Sequence, residues 1–326
     1  MAILVTGAAG FIGHHVCEAL LERGEAVVGL DNLNDYYDVR LKQARLARLD
    51  ARKGFRFERL DIADTPAMQG FAGRHRNITR IAHLAAQAGV RYSIDHPRSY
   101  IHSNLDGFLE VLELARGLKH CEHLVYASSS SVYGAASAVP FSTEERCDTP
   151  VSLYAATKRS NELMAYTYSH LYRVKATGLR YFTVYGPWGR PDMAPYLFTD
   201  AVLAGRKLRV FNHGDMRRDF TYVADIVAGT LAALDHPPPD DGGAPPHRLY
   251  NLGNHRSEQL LDFIAAIERS CNRKAELVFE PMQPGDVQET FADIAPIQQD
   301  LGYAPTTTIE EGVPRFVAWY RQYHGV

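Results

Sequence analysis

Ala2-Ile-Leu-Val-Thr-Gly7-Ala-Ala-Gly10-Phe-Ile-Gly13 is the stretch on which the fold turns. Residues 2–5 form a short apolar run, as expected of a buried strand. Gly7, Gly10 and Gly13 follow at once, and a helical pattern then runs over 13–23. Glycines between a strand and a helix make a phosphate-binding turn. They let the backbone bend tightly and approach a pyrophosphate, and the helix N-terminus adds free N–H groups and a partial positive charge. The spacing is GxxGxxG, not the GxGxxG of the general dinucleotide fingerprint. Three glycines alone suit a plain tight loop equally well, so their place between strand and helix carries the reading.

Working outward, further strands are expected at 26–30, 55–60, 81–84, 123–127 and 174–179, with helices between them, for example at 105–118. Alternation at this spacing predicts an α/β fold with a doubly wound parallel Rossmann sheet. The second half is less regular. It predicts helices at 195–204, 223–234, 257–270 and 309–323 and a strand at 207–211. Residues 236–247, His-Pro-Pro-Pro-Asp-Asp-Gly-Gly-Ala-Pro-Pro-His, read as a surface loop. Phe316, Trp319, Tyr320 and Tyr323 in the last helix read as packing. We expect a first domain over 1–180 and a smaller α/β C-terminal domain over 181–326, partly interleaved with it.

The 326 residues are 46% hydrophobic and 22% charged, enough for a sizeable core, and the formal net charge of −3 argues against nucleic acid. Cys17, Cys121, Cys147 and Cys271 form no CxxC pair and have no His at metal-ligand spacing, so reduced thiols in a cytoplasmic protein and no metal are expected. The N-terminus lacks a charged n-region and a cleavage site. No apolar run approaches the roughly 20 residues of a membrane span.

Asp31 closes the second strand, 18 residues after Gly13. A carboxylate there accepts from ribose hydroxyls and repels a 2′-phosphate. No Arg or Lys stands in the turn or beside Asp31 in sequence, so NAD is favoured over NADP. Asp61-Ile62 and Leu84-Ala85-Ala86 end the third and fourth strands, where adenine, pyrophosphate and ribose are expected; ordinary strand-end packing is the competing reading.

Tyr154-Ala-Ala-Thr-Lys158 places two groups one helical turn apart on one face. A nearby ammonium and a positive nicotinamide favour the phenolate, which makes Tyr154 a general base toward a sugar hydroxyl. A lone YxxxK match usually means a surface helix. Here it is joined by Ser128-Ser129-Ser130-Ser131-Val-Tyr-Gly after the strand at 123–127, where strand ends open into a ligand crevice.

Together these motifs resemble the extended short-chain dehydrogenase/reductases, over essentially the whole chain. Tyr181-Phe-Thr183-Val-Tyr-Gly-Pro, Arg217-Arg218-Asp-Phe-Thr-Tyr-Val-Ala-Asp225 and Pro284-Gly-Asp286 are similar to segments of that family. Asp31-Asn-Leu-Asn-Asp-Tyr-Tyr-Asp-Val-Arg, Ala85-Ala-Gln-Ala-Gly-Val-Arg91-Tyr-Ser and Gly186-Pro-Trp-Gly-Arg190-Pro-Asp-Met-Ala resemble the UDP-glucuronate 4-epimerases.

The resemblance implies NAD held by Gly7, Gly10, Phe11, Ile12, Gly13, Asp31, Asn32, Asp61, Ile62, Leu84, Ala85, Ala86, Asn104 and Tyr181, with Tyr154 and Lys158. It implies catalysis by Ser129, Tyr154 and Lys158. A UDP-sugar would be bound by Arg91, Ser129, Ser130, Ser131, Thr183, Arg190, Arg218 and Asp286, with Arg190 on the C6 carboxylate. It also implies a homodimer packed through helices around 100–118 and 153–170.

Within the family, the expected reaction interconverts UDP-glucuronate and UDP-galacturonate through a 4-keto sugar that rotates and is reduced again. Related 4,6-dehydratases carry Asp-Glu where this chain has Ser130-Ser131, and serine is a poor acid or base near neutral pH. Related decarboxylases carry an acidic residue at the position of Ser131. UDP-glucose/UDP-galactose or N-acetylated 4-epimerases are the alternative, although they have no evident need for Arg190. Relatives that sense redox state or bind RNA often lack Tyr or Lys; both are present here.

Overall fold

The computed structural model describes residues 1–135, 138–282 and 287–326. Its first strand, β1 (Ala2–Thr6), is buried along its whole length, because helices cover both faces of the sheet it belongs to. Around it run β2 (Val27–Asp31), β3 (Phe55–Arg59), β4 (Ile78–His83), β5 (His123–Ser129) and β6 (Ala176–Tyr181). All pair in parallel, in the order β6-β5-β4-β1-β2-β3. The order reverses between β1 and β4. A crevice opens there at the strands' carboxyl ends, where open α/β sheets bind ligands.

The sheet has a seventh strand. His247–Leu252 pairs in parallel with β6 and forms the edge. The sequence reading placed His247 in the preceding loop. Half of this strand is incompletely buried and it begins after Pro245-Pro246, so it lacks the continuous apolar run of the others. It enters the sheet 66 positions after β6 ends, carrying the chain back from the C-terminal half (247 − 181).

Helices α1 (Phe11–Glu22) and α2 (Val39–Asp50) lie with the helix Val223–Asp235 on one face; Thr65–Arg74, Gly107–Gly117 and Leu153–Tyr172 cover the other. The apolar core on the α1 face continues without a break into the C-terminal half, through Tyr185, Phe220, Phe263 and Phe316. Trp319 and Tyr320 are buried as the packing reading expects, and Trp319 lies 5.5 Å from Trp188. The helix expected from 257 begins at Leu260, because Glu258–Gln259 pairs antiparallel with Arg217–Arg218. A π-helical turn, Ile101–Asp106, runs directly into Gly107–Gly117. Among the described residues no helix is long and apolar enough to cross a membrane.

Candidate active site

A cavity of about 530 Å³ fills the crevice. At one end lies the glycine turn. Gly7 has φ +72°, and a Cβ on it would sit 2.8 Å from the Ala85 nitrogen; a Cβ on Gly13 would overlap the Gly7 carbonyl. Gly10 caps α1 with no side-chain hydrogen bond, so the helix N-terminus faces the cavity as bare main chain. Thr6 Oγ1 accepts from Leu84 N–H (3.2 Å) and Ala85 N–H (3.1 Å), fixing the end of β4 against the turn. Main chain packed this closely, at a helix start, fits a dinucleotide pyrophosphate.

Asp31 Oδ2 accepts from Ala9 N–H in that turn (3.2 Å), and Oδ1 accepts from Leu33 N–H (2.8 Å). Asn32 donates to Asp61 (3.0 Å). Burial pushes the Asp61 carboxyl up, but the Ala63 N–H, Asn32 and His102 outweigh it and hold the pKa below its ordinary value.

Basic groups reach this end of the cavity from the next helix, although none stands beside Asp31 in the sequence. Lys42, from α2, also lines the cavity, and the field of Asp31 reaches it. Its ammonium donates to Asn34 Oδ1 at 2.7 Å. Arg45, one turn on and fully buried, donates to the Ala9 carbonyl of the turn (2.9 Å) and to the Trp188 carbonyl (2.6 Å). Cations absent from the neighbouring sequence are thus delivered by the next helix.

The middle of the cavity holds Ser129, Tyr154 and Lys158. Ser152 Oγ caps the helix Leu153–Tyr172 by accepting from Ala155 N–H (3.1 Å). Lys158 is buried and its Nζ donates to the Ala127 carbonyl (2.8 Å). Burial lowers its pKa from 10.5 to about 8, with Glu162 opposing.

The phenol departs from expectation. Burial raises the Tyr154 pKa, while the Ser129 hydroxyl bonded to it and the Arg190 guanidinium pull it back. Lys158 is turned onto Ala127, and Arg190 is the cation whose field reaches Tyr154. Burial prevails over these two groups, so the phenol stands above its ordinary value, against the lowering expected from a nearby ammonium.

Sequence reading missed Glu162, which lies one further turn along the face of Tyr154 and Lys158. It accepts from Ser128 Oγ (2.6 Å) and from Arg180 Nε and Nη2 (2.8 and 2.9 Å), all buried. This pins the helix Leu153–Tyr172 to β5 and β6. An acidic residue four positions after Lys158 was the available signal.

Ser130, Ser131, Arg91, Thr183, Arg190 and Arg218 line the remaining end. Ser129 Oγ donates to Ser131 Oγ (3.1 Å) and accepts its N–H (3.2 Å), so the serine run is self-braced. Arg91 lies over the Phe211 ring at 5.0 Å, and Arg218 donates to the Arg217 and Gln288 carbonyls. Arg190 donates to Asp192 at 3.1 Å.

Gly7, Gly10, Phe11, Ile12, Gly13, Asp31, Asn32, Asp61, Ile62, Leu84, Ala85, Ala86 and Tyr181 all line the cavity; the Tyr181 hydroxyl is turned away onto Thr230. Asn104 does not line it. From the π-helical turn it accepts from Gln87 N–H (2.8 Å) and donates to the Gln87 carbonyl and Thr157 Oγ1. Its side chain is committed to holding the wall that Gln87 forms. Asp286 lies outside the described residues. Phe198, Phe211, Met216 and Leu260 also line the cavity and were not foreseen, because apolar lining residues carry no sequence signature apart from core residues.

The chain matches the model of the NAD dependent epimerase/dehydratase family over residues 3–253. It is 46% identical to the Staphylococcus aureus protein CapI, over 99% of each chain. It is 47% identical to UDP-glucuronate 4-epimerase 4 of Arabidopsis thaliana, over 99% of this chain and 76% of that protein. The structure of UDP-glucuronic acid 4-epimerase from Bacillus cereus, in complex with UDP-glucuronic acid and NAD, aligns with a TM-score of 0.90 at 34% identity, over 99% and 100% of the two chains.

Proposed function

The chain belongs to the NAD dependent epimerase/dehydratase family, and we propose that it interconverts UDP-glucuronate and UDP-galacturonate by epimerisation at C4. One observation carries the uronate: Arg190 stands in the cavity with Ser130 and Ser131, near enough to Tyr154 for its charge to lower the phenol's pKa. A sugar whose 4-hydroxyl meets Tyr154 and Ser129 thus has a guanidinium within reach of C6. A guanidinium fork binds carboxylates bidentately, and a neutral hydroxymethyl group makes no comparable use of it.

The glycine turn, Asp31 and Lys158 would hold NAD, which when bound supplies the hydride acceptor and donor for C4. Tyr154 takes and returns the 4-hydroxyl proton, with Ser129 bonded to it as the second hydroxyl in the path. Ser130 and Ser131 offer no acid–base pair for eliminating water across C5 and C6. Arg190 and these serines instead hold the carboxylate of the 4-keto sugar, a β-keto acid, away from the alignment that loses carbon dioxide. Arg91, Thr183 and Arg218, with Asp286, serve the sugar nucleotide.

We read 1–180 as the NAD-binding part and 181–326 as the sugar-nucleotide part, interleaved through Val223–Asp235 and His247–Leu252. The helices Gly107–Gly117 and Leu153–Tyr172 leave Leu109, Leu163, Tyr166 and Leu171 exposed, which supports a homodimer packed through them. Four unpaired thiols support a cytoplasmic setting.

Purified protein offered UDP-glucuronate, UDP-glucose and their N-acetylated relatives is expected to epimerise the uronate best. Arg190→Ala is expected to cost about tenfold or more in kcat/KM for UDP-glucuronate and to release a decarboxylated 4-keto pentose visible by mass spectrometry. A wild type that prefers UDP-glucose sinks the uronate assignment and installs the neutral-sugar epimerase.

A further inference from the structure

Arg190 is not alone at its end of the cavity. Its Nη2 donates to Asp192 Oδ2 at 3.1 Å, and Tyr36 donates its phenolic proton to the same oxygen at 3.0 Å. Tyr36 comes from the segment after β2 that Asp31 opens, 156 positions away in sequence. The other carboxylate oxygen, Oδ1, is buried and finds no hydrogen-bond partner among the described residues. Arg190 and Asp192 are each about three-quarters covered, at 22% and 25% exposure.

Space has been kept for this contact. Gly89, with φ +102°, faces Tyr36, and a Cβ there would lie 2.6 Å from its hydroxyl. Tyr92 packs edge-on against the Tyr36 ring at 4.7 Å.

Asp192 is therefore an under-bonded carboxylate beside the guanidinium that a uronate needs. Two carboxylates, one internal and one on the substrate, compete for the same fork. We infer that Tyr36 is a positioning residue that satisfies Asp192 and so keeps Arg190 available to a carboxylate-bearing sugar nucleotide. The inference rests on the uronate reading above.

Remove the phenol, and among the described residues Asp192 retains only Arg190 as donor. A charged pair relieved of its neutral partner closes into the bidentate form, which is the stronger one. The edge of the guanidinium facing the cavity is then withdrawn from the substrate. A sugar without a carboxylate does not notice.

The test is steady-state kinetics with excess NAD. Tyr36→Phe is expected to raise KM for UDP-glucuronate about tenfold, the order a hydrogen bond to a charged group contributes. Its kcat should stay within about twofold of wild type, as should KM for UDP-glucose, because Tyr36 touches no reacting atom. Adding Asp192→Asn to Tyr36→Phe should return the uronate KM to near its original value, since the competing charge is gone. Asp192→Asn alone should leave that KM at or below wild type.

A rise for both sugars, or no rescue in the double variant, overturns the inference and reduces Tyr36 to a prop for its loop. Should Tyr36→Phe misfold, a raised uronate KM in Asp192→Asn alone overturns it independently. Arg190→Ala separates the two readings. If it raises the uronate KM while Tyr36→Phe does not, only this inference fails. If Arg190→Ala changes nothing, the uronate reading fails and takes the inference with it.

Discussion

At the glycine turn the cavity is walled by main chain, whereas at Arg190 and the serine run it is walled by side chains. The first region occupies residues 7–13 and depends on the absence of Cβ atoms at Gly7 and Gly13. The second gathers Arg91, Ser129, Tyr154, Thr183, Arg190 and Arg218 from separate stretches. A main-chain site answers to what all dinucleotides share, the pyrophosphate. A side-chain site answers to what distinguishes one sugar from another. In the reading proposed above, the cofactor end is thus constrained by close packing, and the sugar end by the identity and partners of a few polar groups.

The largest expected effect falls at the side-chain end. Tyr154→Phe removes the proposed proton acceptor and should lower kcat by about 10² to 10⁴, while the denatured variant still releases a full complement of NAD. Loss of NAD together with activity would show that the two ends are not separable.

Gly13→Ala strikes the other end. Its new Cβ meets the Gly7 carbonyl within one rigid turn, and overpacking of this kind costs about 1–3 kcal/mol. A lowered melting temperature and a fall of about tenfold or more in NAD retained per chain are expected. Normal NAD content would mean that the turn can open without loss, and the contrast drawn between the two ends would weaken.

The smallest effect sharpens the boundary between them, where Lys158 sits. Folding lowers its pKa from 10.5 to about 8, chiefly by burial. Between those values the unfolded chain binds more protons than the folded one, so stability rises with pH across that window. The penalty is fully present below about pH 8 and gone above about 10.5. Urea unfolding of wild type and Lys158→Met at intervals from pH 7 to 10 should show a rise that the variant lacks. Parallel curves would mean that the ammonium is better solvated than its burial implies.

These contrasts follow what was legible in the chain. The parallel sheet could be read because most of its strands after β1 show as short, largely apolar runs between helical patterns, while Phe55–Arg59, with three charged residues, is carried by its place in the alternation. His247–Leu252 could not, since an edge strand with polar ends resembles the loop before it. Lys42 and Arg45 stand 11 and 14 positions after Asp31, and only the packing of α2 brings them to the cavity and the turn. The bonds of the Asn104 amide to Gln87 and Thr157 form only when the π-helical turn is folded against them, so they could not be read from the chain.

The sequence by itself determined the glycine turn, the Tyr154–Lys158 pair and the serine run. Each is a local pattern: a turn closes within a few residues, and a helix returns to the same face every third or fourth position. Tertiary structure alone decided which cations reach the turn, which cation's field reaches Tyr154, and how Tyr36 comes to share a carboxylate with Arg190. Those contacts join residues up to 156 positions apart, and they form only where the packing of helices on the sheet brings distant side chains into one cleft.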